Sequence, residues 1–240
     1  MTISKMKYVF IGGFISSGTT VTVKALRMMA IGGGTGKYWE GRHDPRYPNK
    51  WGDGQKTFER NKAREIKAWI KSFAPKDCFI EKSPGREKHF QALQKLFGAN
   101  NTYFLMLQRN PVQCVQSAIR RWSKDDIKSR KQIWKKDLWR KRFKFATKLH
   151  KRISKKLKHF RYVRYDTLCG KPVGYLKGIC EFLDEDIPKG RIVKVCNKLK
   201  IERKHSYNYS DVPNLTVPMR DALKELCDLW GYKIPKELII

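Results

Sequence analysis

The 240-residue chain is 40% hydrophobic and 12% aromatic, enough apolar material for a sizeable core, which excludes global disorder. Its 53 Lys and Arg face 22 Asp and Glu, a formal net charge of +31, so its partners are expected to be anionic: phosphorylated cofactors, acidic glycans or peptides, membranes or nucleic acid. No stretch approaches the ~20 apolar residues of a membrane-crossing helix, and the apolar run near the N-terminus is too short for a secretory signal. With six scattered cysteines and no CxxC pair, this predicts a cytoplasmic protein with reduced, mostly buried thiols and no metal site.

In chain order, Lys7–Ile11 (KYVFI) reads as a buried strand that ends on two glycines. A helix is predicted over Thr20–Met29, closed by a breaker at Gly32-Gly33-Gly34. Residues 35–54 are rich in Gly, Pro and aromatics and read as a long loop. Helical spacing returns from about Gln55 to Phe73. Cys78–Glu81 is a short strand candidate, followed by a helix over Glu87–Phe97, a strand over Thr102–Leu107 and a helix over Val112–Trp122 with Pro111 at its start. Residues 120–161 hold 19 Lys and Arg against three Asp. There Trp134, Leu138, Phe145, Leu149, Ile153 and Leu157 recur at helical spacing, predicting a long basic helix over about 129–158 with that stripe facing the core. Phe160–Tyr165 is a further strand, and later helices include Val217–Trp230 before Gly231. Strands alternating with helices predict one α/β domain, residues 1–240, with a central mostly parallel sheet flanked by helices in a P-loop-like three-layer fold.

The segment Gly12–Thr20, GGFISSGTT, lies between the first strand and the first helix, the context a phosphate loop requires. Glycines let backbone N–H groups turn toward an anion, and the helix N-terminus adds partial positive charge. Ser16, Ser17, Thr19 and Thr20 offer hydroxyls. Gly13 and Gly18 keep the spacing of a nucleotidase loop, but Thr19 stands where that loop carries lysine, which argues against a P-loop kinase. A second motif, Gln108-Arg109-Asn110-Pro111, follows another strand, with Ser117 eight residues after Arg109. Both motifs fall at the carboxyl ends of strands, where open parallel sheets bind ligands.

Together these segments resemble the sulfotransferases that use 3′-phosphoadenosine-5′-phosphosulfate (PAPS) and release 3′-phosphoadenosine-5′-phosphate (PAP). GGFISSGTT resembles their 5′-phosphosulfate loop and RNPVQCVQS their 3′-phosphate motif. IEKSP at 80–84 is similar to an element of the carbohydrate and protein-tyrosine branch, and VRYDTLCGKP at 163–172 to the segment that precedes a helix ending near Phe182-Leu183. The four occur in the family's order. The resemblance implies that Ser16, Ser17, Gly18, Thr19 and Thr20 form the phosphosulfate loop, that Arg109 and Ser117 bind the 3′-phosphate, and that Tyr165 lies near the adenosine. One departure stands out: Ser16 occupies a position where the family usually carries Arg or Lys. Lys82 is the first substitute for that charge and Lys24 the second. The base that takes the acceptor's proton is expected to be Glu40, with His43 and then Glu81 as alternatives.

These readings give a sulfotransferase moving a sulfuryl group to a hydroxyl, of a carbohydrate or alternatively of a peptide tyrosine. The acceptor is expected to be acidic or carbohydrate, with nucleic acid disfavoured for want of a reading motif. A non-catalytic basic nucleotide- or nucleic-acid-binding protein on the same fold is the rival from another class, and Ser16 favours it. The basic helix reads either as a solvated face or as a surface that recruits an acidic acceptor.

Overall fold

The computed structural model describes residues 6–29, 31, 33–34, 68, 70, 78–82, 86–122, 136–153, 155–200 and 215–238, with the backbone alone at 33, 34, 86, 119–122, 136–138 and 237. The chain divides into two compact units. The first comprises Met1–Gly13, Gly18–Leu107 and Ser154–Arg203, the second Phe14–Ser17, Gln108–Ile153 and Lys204–Ile240.

The first unit is built on a sheet of five strands among the described residues: β1 (Lys7–Gly13), β2 (Gly33–Gly34), β3 (Cys78–Glu81), β4 (Thr102–Gln108) and β5 (His159–Arg164). Their order is β2-β3-β1-β4-β5, and the β1–β3, β1–β4 and β2–β3 pairs are parallel. Val9–Gly12 and all of β3 and β4 are buried, as expected where helices cover both faces of a parallel sheet. Strand periodicity divides their side chains. Val9, Ile11, Ile80, Leu105 and Leu107 enter a core with α1 (Thr19–Met28), α5 (Tyr165–Gly170), α6 (Pro172–Phe182) and α7 (Lys189–Leu199).

The opposite face is aromatic. Phe10 lies 5.9 Å from Phe104 and 6.5 Å from Phe79, ring centre to ring centre. It meets α2 (Phe90–Phe97) through Phe90–Phe104 at 4.6 Å and Phe97–Tyr8 at 4.2 Å. Burying each such ring stabilises the fold by roughly 1.5–3 kcal/mol. Gly12 is required on this face, because a Cβ there would stand 2.9 Å from Phe90 Cζ.

The second unit holds α3 (Pro111–Trp122), α4 (Lys136–Ile153) and α8 (Val217–Trp230). Trp139, Phe143 and Ala146 of α4 pack with Val112, Val115 and Ala118 of α3 and with Leu223, Leu226 and Trp230 of α8. Asn110 Oδ1 accepts a hydrogen bond from Val112 N at 2.9 Å, so Asn-Pro forms the capped start of α3. Gly231, at φ 68°, ends α8 in the left-handed conformation that glycine adopts without strain.

The α/β class and the mostly parallel sheet match the sequence reading, with three local corrections. The glycine breaker supplies β2: Gly33 and Gly34 pair with Phe79 and Ile80 at the sheet edge, where backbone alone suffices. The basic helix ends at Ile153, and residues 155–158 turn into β5, so Leu157 is buried from that turn. Its core-facing stripe runs through Trp139, Phe143, Ala146 and Ile153, leaving Phe145 39% exposed. Of the stripe read from the sequence, Ile153 and Leu157 are buried, Leu149 is half-buried and Phe145 is exposed, and the helix buries Trp139 and Phe143 on a neighbouring row instead; Trp134 and the Leu138 side chain lie outside the described residues. The expected Gln55–Phe73 helix likewise lies almost wholly outside them.

Candidate phosphate-binding site

The loop after β1 begins as a tight turn whose first residue is anchored. Phe14, 8% exposed, stacks on Phe143 at 5.7 Å and lies 6.2 Å from Trp139 and 6.3 Å from Trp230. Ser17 N donates to Phe14 O at 3.0 Å, closing the turn. Ser16 adopts φ 59°, a left-handed conformation uncommon outside glycine, and its carbonyl accepts a 2.9 Å hydrogen bond from Arg109 Nη1. Arg109 is 5% exposed and leaves the end of β4 just before α3. This bond ties the two sequence motifs together within the second unit. Ser17 is fully buried, and its hydroxyl, like that of Ser16, has no hydrogen-bond partner among the described residues. A buried hydroxyl costs stability unless something accepts from it or donates to it, so the Ser17 hydroxyl is one that could hold a ligand. Ser117 stands half-buried on α3, seven residues after Asn110, whose side chain caps the start of that helix.

In the first unit the loop continues with Gly18, the N-cap of α1, at φ 97°. A Cβ on Gly18 would lie 2.1 Å from Cδ2 of Tyr165, so the tyrosine ring occupies the space a side chain would need. Tyr165 opens α5 directly after β5. The structure thus brings together two residues that the sequence separates by 147 positions. Thr19 and Thr20 form the first turn of α1, whose leading N–H groups have no intrahelical acceptor. Thr22, not singled out in the sequence, is fully buried and donates its hydroxyl to Gly18 O at 3.2 Å, bracing the helix start.

Glu81 ends β3, paired to β1 through Phe10↔Glu81, and Lys82 follows it directly. Both are buried, Glu81 to 1% and Lys82 to 7% exposure. Burial lowers the pKa of the Arg27 guanidinium, and the Glu81 carboxylate opposes that shift. Glu81 therefore acts as a charge partner for Arg27, whose Nη2 also reaches Ile80 O at 3.4 Å. Glu40 and His43 lie outside the described residues. No described helix is long and apolar enough to cross a membrane.

Among solved structures, a sulfotransferase from Alicyclobacillus acidocaldarius aligns at a TM-score of 0.57 and 14% identity, covering 95% of this chain and 97% of that one. Sulfotransferase STF9 from Mycobacterium avium aligns at 0.52 and 15% identity, covering 95% and 78%. Mouse sulfotransferase SULT7A1, solved in complex with PAP, aligns at 0.54 and 13% identity, covering 92% and 82%. At such identities these likenesses establish the fold. No curated protein matches the chain. Residues 9–189, about three quarters of the sequence and the span that holds all four motifs, match the sulfotransferase family, and the chain belongs to it.

Proposed function

We propose that the chain is an enzyme that transfers a sulfuryl group from PAPS to a hydroxyl acceptor and releases PAP. The observation that carries this reading is the fully buried Ser17 hydroxyl, without a partner among the described residues, in a glycine-bearing turn at the amino end of α1. That is a cradle for an oxyanion. When bound, PAPS supplies the activated sulfuryl group. Ser16, Ser17, the Gly18 N–H, Thr19 and Thr20 hold the 5′ end; Arg109 and Ser117 hold the 3′-phosphate; Tyr165, already against Gly18, flanks the adenosine. No metal is required by this donor set.

Ser16 leaves the loop without its usual cation. Lys82, directly after β3, is the proposed substitute and Lys24 on α1 the second; Arg109, whose guanidinium reaches the Ser16 carbonyl itself, is a further one. In the transfer step the acceptor oxygen bonds to sulfur as the bond from sulfur to the phosphate oxygen breaks, and the acceptor's proton passes to a base. Glu40 is the proposed base and His43 its alternative. Glu81 is the weakest candidate, because its carboxylate already faces Arg27. The proposed acceptor is carbohydrate, with peptide tyrosine as the alternative, and the proposed compartment is the cytoplasm. The serine at position 16 supports one second reading, a PAP-binding protein without transferase activity.

Thermal shift with PAP and with ATP tests the cofactor. PAP at 100 times its Kd should add roughly 2.7 kcal/mol of stability. An equal or larger response to ATP would overturn the proposal. Glu40→Gln should abolish transfer of labelled sulfate from PAPS while PAP stabilisation persists, and full activity in that variant would move the base elsewhere.

A further inference from the structure

Two supports of the phosphate-binding turn meet at the half-buried imidazole of His150 on α4. Trp230 of α8 brings its Nε1 to 3.1 Å from His150 Nδ1. Gln108, the last residue of β4, brings its Nε2 to 3.3 Å from the same nitrogen. An indole N–H can only donate, so Nδ1 is the accepting nitrogen and the ring proton sits on Nε2. Gln108 therefore turns its amide N–H toward the ring. Each donor leads on to the turn. Trp230 meets Phe14 edge-on at 6.3 Å, and Phe14 O closes the turn by accepting from Ser17 N. Gln108 precedes Arg109, whose guanidinium donates to the Ser16 carbonyl. All of these residues belong to the second unit.

The two arms are not equally secured. Phe14 also stacks on Phe143 at 5.7 Å and lies 6.2 Å from Trp139, so it keeps its seat if the indole shifts. The Gln108 side chain is 6% exposed, with His150 as its hydrogen-bond partner. A buried amide that loses its acceptor must move to find another, and Arg109 follows it directly in the chain. Protonating Nδ1 has the same effect as removing it, because the ring would then present a donor to two donors. The charged groups flanking the ring are Arg109 after β4, Lys151 on α4, and Glu225 and Asp228 on α8. Lys151 and Glu225 pair at 2.9 Å, and burial lowers the imidazole below its ordinary 6.5.

We propose that His150 is a positioning residue for the 3′-phosphate: by accepting from Gln108 it fixes the strand end that presents Arg109. The inference rests on the reading of PAPS and PAP as the cofactor pair. The test measures Kd by calorimetry on the full-length protein, for PAP and for adenosine 5′-monophosphate (AMP), which lacks the 3′-phosphate. His150→Phe keeps a ring and removes the acceptor. It should weaken PAP about tenfold at pH 7.5 and change AMP less than twofold. His150→Asn places a carbonyl oxygen near the position of Nδ1 and should restore PAP affinity to within about threefold of wild type. The ratio of wild-type Kd to His150→Asn Kd for PAP should then rise at least threefold from pH 7.5 to pH 5.5. PAP's own phosphates gain protons in that range, and the ratio cancels them. Gln108→Met leaves the ring in place and should reproduce the loss of PAP affinity, whether or not His150→Phe folds. PAP affinity within twofold of wild type in either variant, an equal loss for AMP, or a ratio constant with pH overturns the proposal. A wild-type chain that binds PAP no tighter than AMP overturns the PAP reading itself, and this inference with it.

Discussion

Gly18→Ala isolates the contact between the phosphate loop and Tyr165. The substitution meets two separate costs. At φ 97° an L-residue is strained by roughly 1–2 kcal/mol relative to glycine. The new methyl also falls 2.1 Å from Tyr165 Cδ2 and 2.5 Å from Cε2, far inside contact distance, so the ring must leave its place. Because Tyr165 is half-buried and packs against the sheet core, displacing it costs about 1–3 kcal/mol, the usual range for overpacking. The total loss is about 2–5 kcal/mol, read as a lower urea midpoint with an unchanged m-value. In a Tyr165→Ala background the ring is absent, and Gly18→Ala should cost only the backbone part. The double-mutant cycle should therefore show a coupling of about 1–3 kcal/mol. Equal costs in both backgrounds would refute the packing argument and leave Gly18 as a matter of backbone conformation alone.

Asn110→Ala removes the cap of α3 and should cost about 1 kcal/mol, measurable as a fall in Tm, with weaker PAP binding because Arg109 precedes the capped turn. Arg109→Gln should raise the Kd for PAP roughly 10- to 150-fold by calorimetry, the loss of a charge-assisted hydrogen bond; an unchanged Kd would remove Arg109 from the site. Burial lowers the His150 imidazole from its ordinary 6.5, and its Nδ1 accepts from Trp230 Nε1 at 3.1 Å, so the native ring is neutral. The unfolded chain then binds the proton more readily, and stability should be complete above pH 6.5 and decline as pH falls below it, a trend that His150→Gln should flatten. Burial pushes the Cys180 thiol up to about 11 and Cys227 up to about 12, whereas Cys169 is half-buried. Iodoacetamide at pH 8 should therefore alkylate Cys169 first in peptide mapping, and early labelling of Cys227 would contradict its burial.

The strands β1, β3, β4 and β5 were legible because each is a short β-rich run bounded by glycine, proline or charge, and the phosphate loop because glycines and hydroxyls cluster between a strand and a helix. Less was legible where two registers share one period. On α4 the sequence offers apolar residues on adjacent stripes, and only packing against Phe14 and α8 selects Trp139 and Phe143 over Phe145. Contacts between distant residues leave no local trace. Nothing in the sequence near Gly18 announces Tyr165, and nothing near Ser16 announces that its carbonyl meets Arg109. Thr22 was missed because a hydroxyl returning to the carbonyl four residues earlier looks like any other helical threonine.

The hydrogen bond from Arg109 to the Ser16 carbonyl has a consequence for the energetics of ligand capture. Ser16 sits in a conformation that few non-glycine residues adopt, and such strain persists only where surrounding structure holds it. Here Arg109 and the aromatic seat of Phe14 hold it from within the protein. The entropy of shaping this turn is thus lost on folding, before any anion arrives. A preorganised turn binds with less ordering left to do, and loosening it through Arg109 or Phe14 taxes affinity even for a ligand that touches neither.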